Sequence, residues 1–294
     1  MSKISIAVDL MGGDHAPQSV SKALVTAALQ YPGVNFLAVG LPHVLSQYFA
    51  TKPANIIPVP VHDNVDMAMS ASEASRKGAS TSIGKMIELV KEGQAQTGLS
   101  AGNTAALMSL AYLILKTKEG IRRPSILSSV EFKGVRTMIT DLGANIGCKA
   151  EDLVANARAA VSEHTKEDPT VALLNVGTEA SKGTPAIKEA AALLTESEIN
   201  FIGFVEGWDL LRSKADIVVC DGFVGNCVTK FLESIIHELS PYVSDKALLP
   251  QVSHAAMLVG LNGLIFKAHG GSTAEDLICA IEEVISHQEA LISV

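Results

Sequence analysis

Asp221-Gly222-Phe223-Val224-Gly225-Asn226 follows the apolar run Ala215-Asp216-Ile217-Val218-Val219-Cys220 and precedes a helical pattern over residues 227–239. A buried strand that runs into a glycine-bearing turn and then a helix is how α/β proteins aim backbone N–H groups at an anion. Gly222 and Gly225 are expected to permit positive φ and close ligand approach, with Asp221 at the strand's carboxyl end and Asn226 as a helix N-cap. An ordinary βα turn would account for these six residues equally well. The wider chain decides the matter, because similar segments recur at other strand ends.

Working outward, strands are expected over residues 4–9, 34–40, 56–61, 125–131, 135–140, 170–177, 200–207 and 260–268. Helices are expected over 18–30, 42–51, 83–92, 105–115, 151–164, 185–194 and 274–288. Two prolines, Pro58 and Pro60, place the third strand at a sheet edge or interrupt its pairing. Residues 65–71 carry no firm pattern, and 75–82 read as a loop of basic and hydroxyl side chains. The helix over 105–115 is apolar all round, which predicts burial in a large core or a subunit interface. Strands alternating with helices give an α/β fold with a mainly parallel sheet covered by helices. One compact unit over residues 1–294, with two lobes as an option, is the economical domain assignment. In such sheets ligands bind outside the carboxyl ends of the strands. The polar, glycine-bearing segments that end at Asp14, Thr104, Asn145, Lys182, Asn226 and Ser272 all fall there.

Composition narrows the function class. The 294 residues are 48% hydrophobic, enough for a sizeable core, and carry a net charge of −8. That balance argues against a nucleic-acid protein, which needs basic surface for phosphates. Cys148, Cys220, Cys227 and Cys279 show no CxxC and no metal spacing, so reduced thiols are expected and no metal site. Met1-Ser2-Lys3-Ile4 runs into a strand without a signal peptide, and the longest apolar run is too short to span a bilayer. The expectation is a cytoplasmic protein, at most weakly and peripherally associated with a membrane.

The candidate site residues follow from the strand ends. Asp9, Gly12, Gly13, Asp14 and His15 form the first polar cluster, without the GxGxxG or GxxxxGK spacing of nucleotide loops. A tight turn explains the two glycines about as well as phosphate binding does, and His15 alone fits a surface residue. Ser100, Asn103 and Thr104 stand at the mouth of the apolar helix, where each suits a cap or an anion donor. Asp141 and Asn145 close another strand, and His269 follows the last one. There is no G-x-S-x-G elbow, no H-E-x-x-H motif and no aromatic platform for bases. What is left is a small anion held by preorganised dipoles and one or two cations, the equipment of phosphoryl or acyl transfer. No cofactor is expected. The densest basic run, Lys116, Lys118, Arg122 and Arg123, fits either helix-end charge with a solvated loop or a docking patch for an acidic partner.

These segments resemble a known family. Val8-Asp9-Leu10-Met11-Gly12-Gly13-Asp14-His15-Ala16-Pro17 is similar to the N-terminal signature of bacterial phosphate acyltransferases, the acyl-carrier-protein:phosphate transacylases of phospholipid synthesis. Ser100 to Thr104, Asp141 to Asn145, Leu174 to Gly183, Asp221 to Asn226 and Lys267-Ala268-His269-Gly270 match further motifs in the family's order. The resemblance spans nearly the whole chain. It implies the fold of isocitrate and isopropylmalate dehydrogenases and of phosphate acetyltransferases, and a homodimer. It also implies transfer of a fatty acyl group from acyl carrier protein to inorganic phosphate, with acyl phosphate as product. Alternatives on the same scaffold are a phosphate acetyltransferase-like enzyme using coenzyme A thioesters and a non-catalytic anion or carrier-protein binder.

By that resemblance Lys182 and Asn226 stand at the reacting centre. Asp9, Gly12, Gly13, Asp14, His15, Ser100, Asn103, Thr104, Asp141, Asn145, Asp221, Gly222, Gly225 and His269 then shape the phosphate and substrate pocket. The basic run becomes the candidate surface for acyl carrier protein. The chain departs from the family at Ala105, where a glycine is usual, and at residues 254–259, where a glycine-rich lead-in is usual. It also departs between Phe231 and Gly260, which is short for the family's projecting C-terminal helical hairpin.

Overall fold

The structure, a computed structural model, describes residues 4–293. The expectation of no signal peptide rests on residues 1–3 and lies outside that range. In chain order the first elements are β1 (Ser5–Asp9), α1 (Gln18–Gln30), β2 (Asn35–Gly40), α2 (Pro42–Phe49), β3 (Ile56–Pro60) and α3 (Ala71–Lys77). Then come α4 (Ser82–Lys91), β4 (Thr97–Ser100), α5 (Thr104–Leu115), β5 (Ser125–Phe132), β6 (Val135–Thr140) and α6 (Ala150–Val161). β7 (Val171–Leu174), α7 (Pro185–Thr195), β8 (Phe201–Val205), β9 (Ile217–Val219) and α8 (Gly222–Leu239) follow. The chain closes with β10 (Gln251–Val252), β11 (Ala255–Val259), β12 (Leu264–Ala268) and α9 (Ala274–Ser293).

Two compact units divide the chain, one holding the residues up to Thr117 and from His254 onward, the other running from Lys118 to Ser253. In the first, the strand order is β3-β2-β1-β4-β12-β11. The first five are parallel, and β11 returns antiparallel to β12. Pro58 and Pro60 do lie in the edge strand, where a missing N–H costs no ladder bond. The core packs Met86 and Ile87 of α4 and Leu107 and Leu110 of α5 against Ala7 and Ile265 of the sheet. On α1, Val20, Ala23, Leu24, Ala27 and Ala28 are buried at the 3–4 spacing of one helical face, and α9 packs against that helix.

In the second unit β10 and β5 are antiparallel, β5 and β6 form a hairpin, and β6-β9-β7-β8 run parallel. The hairpin turns at Lys133 and Gly134, both with positive φ, which is what a two-residue connection requires to match the strand twist. Its core joins Val130, Ile139, Ala172, Val218 and Leu210.

Three segments add to or alter what the sequence leads one to expect. Residues 75–77, expected within a loop, instead complete α3, whose start is fixed by a reciprocal cap between Ser70 and Glu73. Residues 255–259, to which no element is assigned from sequence, form β11, because their ladder partner is β12. In helix α5, Ala106, Leu107, Leu110, Ala111 and Leu115 face the core, while Tyr112 and Leu113 are each 44% exposed on the single chain. Between α8 and β10 the described chain makes two single-turn 3₁₀ helices, Ser240–Tyr242 and Lys246–Leu248, consistent with a shortened hairpin. No helix among the described residues is long and apolar enough to cross a membrane.

Candidate active site

Each unit gathers three of the six expected loops at one end of its parallel strands. In the first unit these follow β1, β4 and β12. Asp9 closes β1 with 1% exposure. Its Oδ1 accepts the Met11 amide at 3.0 Å and its Oδ2 accepts the Ser100 hydroxyl at 2.6 Å. Burial pushes its carboxyl up from the ordinary range, against hydrogen bonds from Ser100 and Met11 and the nearby Lys267 ammonium. Ser100 Oγ in turn accepts the Gly102 amide at 3.0 Å. Gly12 lies so close that a Cβ there would stand 2.5 Å from Asp9 Oδ2 and from the Gly102 nitrogen. Asp14 donates its amide to the Gly270 carbonyl at 2.8 Å, joining the first and last loops.

Asn103 caps α5 through the Ala106 amide at 3.0 Å, and its Nδ2 donates to the Met67 and Met69 carbonyls, each at 2.8 Å. Both amide hydrogens are committed to the protein, so Asn103 fastens residues 67–69 as well as serving as the expected cap. Asp14, His15, Thr104 and His269 are exposed beside this network, Gly13 is half-buried, and His269 Nδ1 accepts the Gly271 amide at 3.2 Å.

The second unit repeats the theme after β6, β7 and β9. Asp141 is fully buried and meets four donors. Oδ1 takes the Ile126 and Ala144 amides at 3.0 and 3.1 Å, and Oδ2 takes the Asn145 amide and side chain at 2.7 and 3.0 Å. Burial raises its pKa, and those donors pull it back. Asn145 also donates to the Pro124 carbonyl at 2.9 Å and accepts the Gly222 amide at 2.9 Å. The peptide between Thr140 and Asp141 is cis.

The opening stretch reads differently in the structure. The cap of α8 is Asp221, whose Oδ1 accepts the Phe223 amide at 2.9 Å, while Asn226 lies inside the helix. Asp221 Oδ2 also takes the Cys148 amide at 2.7 Å. Gly222 and Gly225 are helical without positive φ. Both approach backbone closely: a Cβ at Gly225 would overlap the Asp141 carbonyl, and one at Gly222 the Asn145 carbonyl.

Asn226 is exposed, and its Nδ2 donates to the Leu142 carbonyl at 3.3 Å, beside Gly143. Lys182 is exposed on the loop after β7, its amide bonded to the Glu179 carbonyl at 3.0 Å. No hydrogen bond links Asn226 to Lys182 among the described residues. Burial pushes the Cys148 thiol up to about 12 and raises Cys220 as well, with Asp141 and Asp221 adding to both. Protonated thiols are poor nucleophiles, so neither cysteine suits a covalent step. Among the described residues no three His, Cys, Asp or Glu side chains are placed to hold a metal ion.

In the basic run, Lys118 pairs with Glu163 at 2.8 Å, while Arg122 and Arg123 are exposed. Lys116 is exposed at the C-terminus of α5. One residue escaped the strand-end reading. Lys267 precedes the end of β12 by one position, half-buried, and donates to the Ala101 carbonyl at 3.5 Å and to the Ala268 carbonyl. A lysine inside an otherwise apolar strand is the signal that could have found it.

The family model described as "Fatty acid synthesis protein" matches residues 4–249. The phosphate acyltransferase of Alkalilimnicola ehrlichii is 34% identical, covering 96% of this chain and 92% of that protein. That of Methylococcus capsulatus is 36% identical, covering 95% and 93%. A phosphotransacetylase from Streptococcus pyogenes superposes with a TM-score of 0.67 at 20% identity, over 98% of this chain and 94% of its own. A 4-hydroxythreonine-4-phosphate dehydrogenase from Klebsiella pneumoniae does so at 0.65 and 14%, over 97% and 99%. The two solved structures bear out the expected α/β fold shared by phosphotransacetylases and dehydrogenases of this type. With a family model over most of its length and relatives a third identical from end to end, the chain belongs to the phosphate acyltransferase family and is an acyltransferase.

Proposed function

We propose that this protein transfers a fatty acyl group from an acyl carrier protein thioester to inorganic phosphate, releasing acyl phosphate for phospholipid synthesis and free carrier protein. The observation that carries the reading is the near-full-length match to relatives named phosphate acyltransferase. The chemistry asks little of the protein in covalent terms. A phosphate oxygen attacks the thioester carbonyl, the tetrahedral intermediate collapses, the C–S bond breaks, and the carrier thiolate leaves and takes up a proton. Phosphate is itself the nucleophile, which agrees with two thiols held protonated and with the lack of a nucleophile elbow. Positioning and charge stabilisation are then the protein's contribution.

In this reading Lys182 neutralises phosphate or the developing oxyanion, and the Asn226 amide donates to it. Both side chains are exposed and free of buried structural duty, unlike Asp9 and Asp141. Arg122 and Arg123 serve as the docking surface for the acidic carrier protein, with Lys118 weakened for that role by Glu163. Homodimerisation is proposed through α8, where Val224, Phe231, Ile235 and Leu239 form an exposed apolar stripe. A weak peripheral membrane contact would draw on the same stripe, and the protein is assigned to the cytoplasm.

The test is phosphate-dependent release of free carrier protein from a long-chain acyl thioester. Lys182→Ala and Asn226→Ala should each lower kcat by about 10²–10³ with unchanged melting, the loss typical of one oxyanion donor. Turnover of acetyl-coenzyme A in preference to the carrier thioester would reassign the acyl donor. An inactive but carrier-binding wild type would make the protein a binder.

A further inference from the structure

We propose that Lys267 is a positioning residue whose ammonium ties the loops after β1, β4 and β12 into one anion-receptive surface. The inference rests on the phosphate-dependent reading above. It concerns a residue for which that reading provides no role.

The geometry lies wholly in the first unit. Lys267 Nζ donates to the carbonyl of Ala101, at the end of β4, and to that of Ala268, at the end of β12. Asp9, at the end of β1, is bound to Ser100 on β4 at 2.6 Å, and Ser100 holds the Gly102 amide at 3.0 Å. The backbone of Gly12 packs against Gly102, with no room for a side chain between them. The Asp14 amide closes the ring on the Gly270 carbonyl. Three strand ends are thus joined by one carboxylate, one hydroxyl and one ammonium.

Charge gives the arrangement its consequence. At the carboxyl ends of parallel strands the carbonyl dipoles and the buried Asp9 point negative charge toward the loop surface. Lys267 supplies the compensating positive charge, and it also lowers the cost of keeping Asp9 ionised. With the exposed Asp14 carboxylate on the same loops, removing the ammonium while keeping Asp9 would make this surface more negative by one charge. A phosphate dianion would be repelled from loops that are otherwise intact. A purely structural lysine would act differently. Its loss would lower the amount of folded protein and leave the affinity of the folded fraction unchanged.

The test is direct binding of inorganic phosphate, by calorimetry and by phosphate-dependent melting, to wild type, Lys267→Met and Lys267→Arg. The Met variant should bind phosphate at least tenfold more weakly, with the Arg variant between it and wild type. In turnover, the KM for phosphate should rise by the same factor while the KM for the carrier thioester stays within about twofold. A folded Met variant with wild-type phosphate affinity overturns the role of Lys267 and leaves the proposed reaction standing. Wild type that binds no phosphate overturns the proposed reaction and this inference with it. If the Met variant does not fold, Lys267→Gln and Lys267→Arg decide: equal phosphate affinity in both refutes the charge argument, and a tenfold gap supports it.

Discussion

Replacing Asp141 with asparagine tests the hydrogen-bond accounting at the centre of the second unit. The substitution keeps the shape of the side chain and one of its two acceptors. Oδ1 keeps its place opposite the Ile126 and Ala144 amides, but an NH₂ group now faces the Asn145 amide and side chain. Two donors lose their acceptor in a site with no exposed surface, and they meet a third donor there. Each buried unsatisfied group costs about 1–3 kcal/mol, so a loss of roughly 2–6 kcal/mol is expected for the two. At about 2 °C per kcal/mol for a chain this long, the melting midpoint should fall by about 4–12 °C. Circular dichroism melts and urea midpoints both read this out. Activity should fall as well, because the loop that Asp141 holds carries the Leu142 carbonyl bonded to Asn226. An Asn variant that melts within about 2 °C of wild type would refute the reasoning, since it would mean that Asp141 is not a carboxylate ringed by donors.

Two further outcomes follow. Gly225→Ala should destabilise by about 1–3 kcal/mol or more, because its Cβ would overlap the fixed Asp141 carbonyl and stand 2.9 Å from Cys220 Sγ. A neutral effect on the urea midpoint would show that α8 can shift off the loop. His254 hydrogen-bonds Glu283 at 3.0 Å, and that bond raises its pKa above the ordinary 6.5. A raised folded-state value means that the added stability is present below the unfolded value and lost as pH rises through the folded one. The melting gap between wild type and His254→Gln should therefore be open near about pH 6 and closed by about pH 8, and a gap independent of pH rejects the ion pair.

How much of this was legible in the sequence depends on which forces act locally. Helix α1 was readable to the residue, because its small and branched side chains repeat at helical spacing. The edge position of β3 followed from two prolines. Strand β11 escaped because a run of five apolar residues declares a strand only when its ladder partner is known. The N-cap of α8 was misplaced by five residues, since Asp221 and Asn226 are equally good caps and the glycines between them suggested a turn. Those glycines are there for a contact with residues 141–145, some eighty positions away, which no local pattern reveals.

The aspartates at the strand ends illustrate a division of labour. Asp9 and Asp141 are in the expected places, yet each is buried and spent on loop donors, Ser100 and Met11 for one, Ile126, Ala144 and Asn145 for the other. A carboxylate so enclosed is poorly placed to act as a general base, and its charge would oppose an incoming phosphate. What it does provide is rigidity: two loop ends whose backbone cannot relax away from a substrate. The groups exposed enough to meet an anion are Lys182 and Asn226 in one unit and His15, Thr104 and His269 in the other. A scaffold that buries Asp9 and Asp141 and exposes Lys182 and Asn226 suits a reaction whose nucleophile is itself an anion, because loop preorganisation comes from buried carboxylates instead of exposed ones.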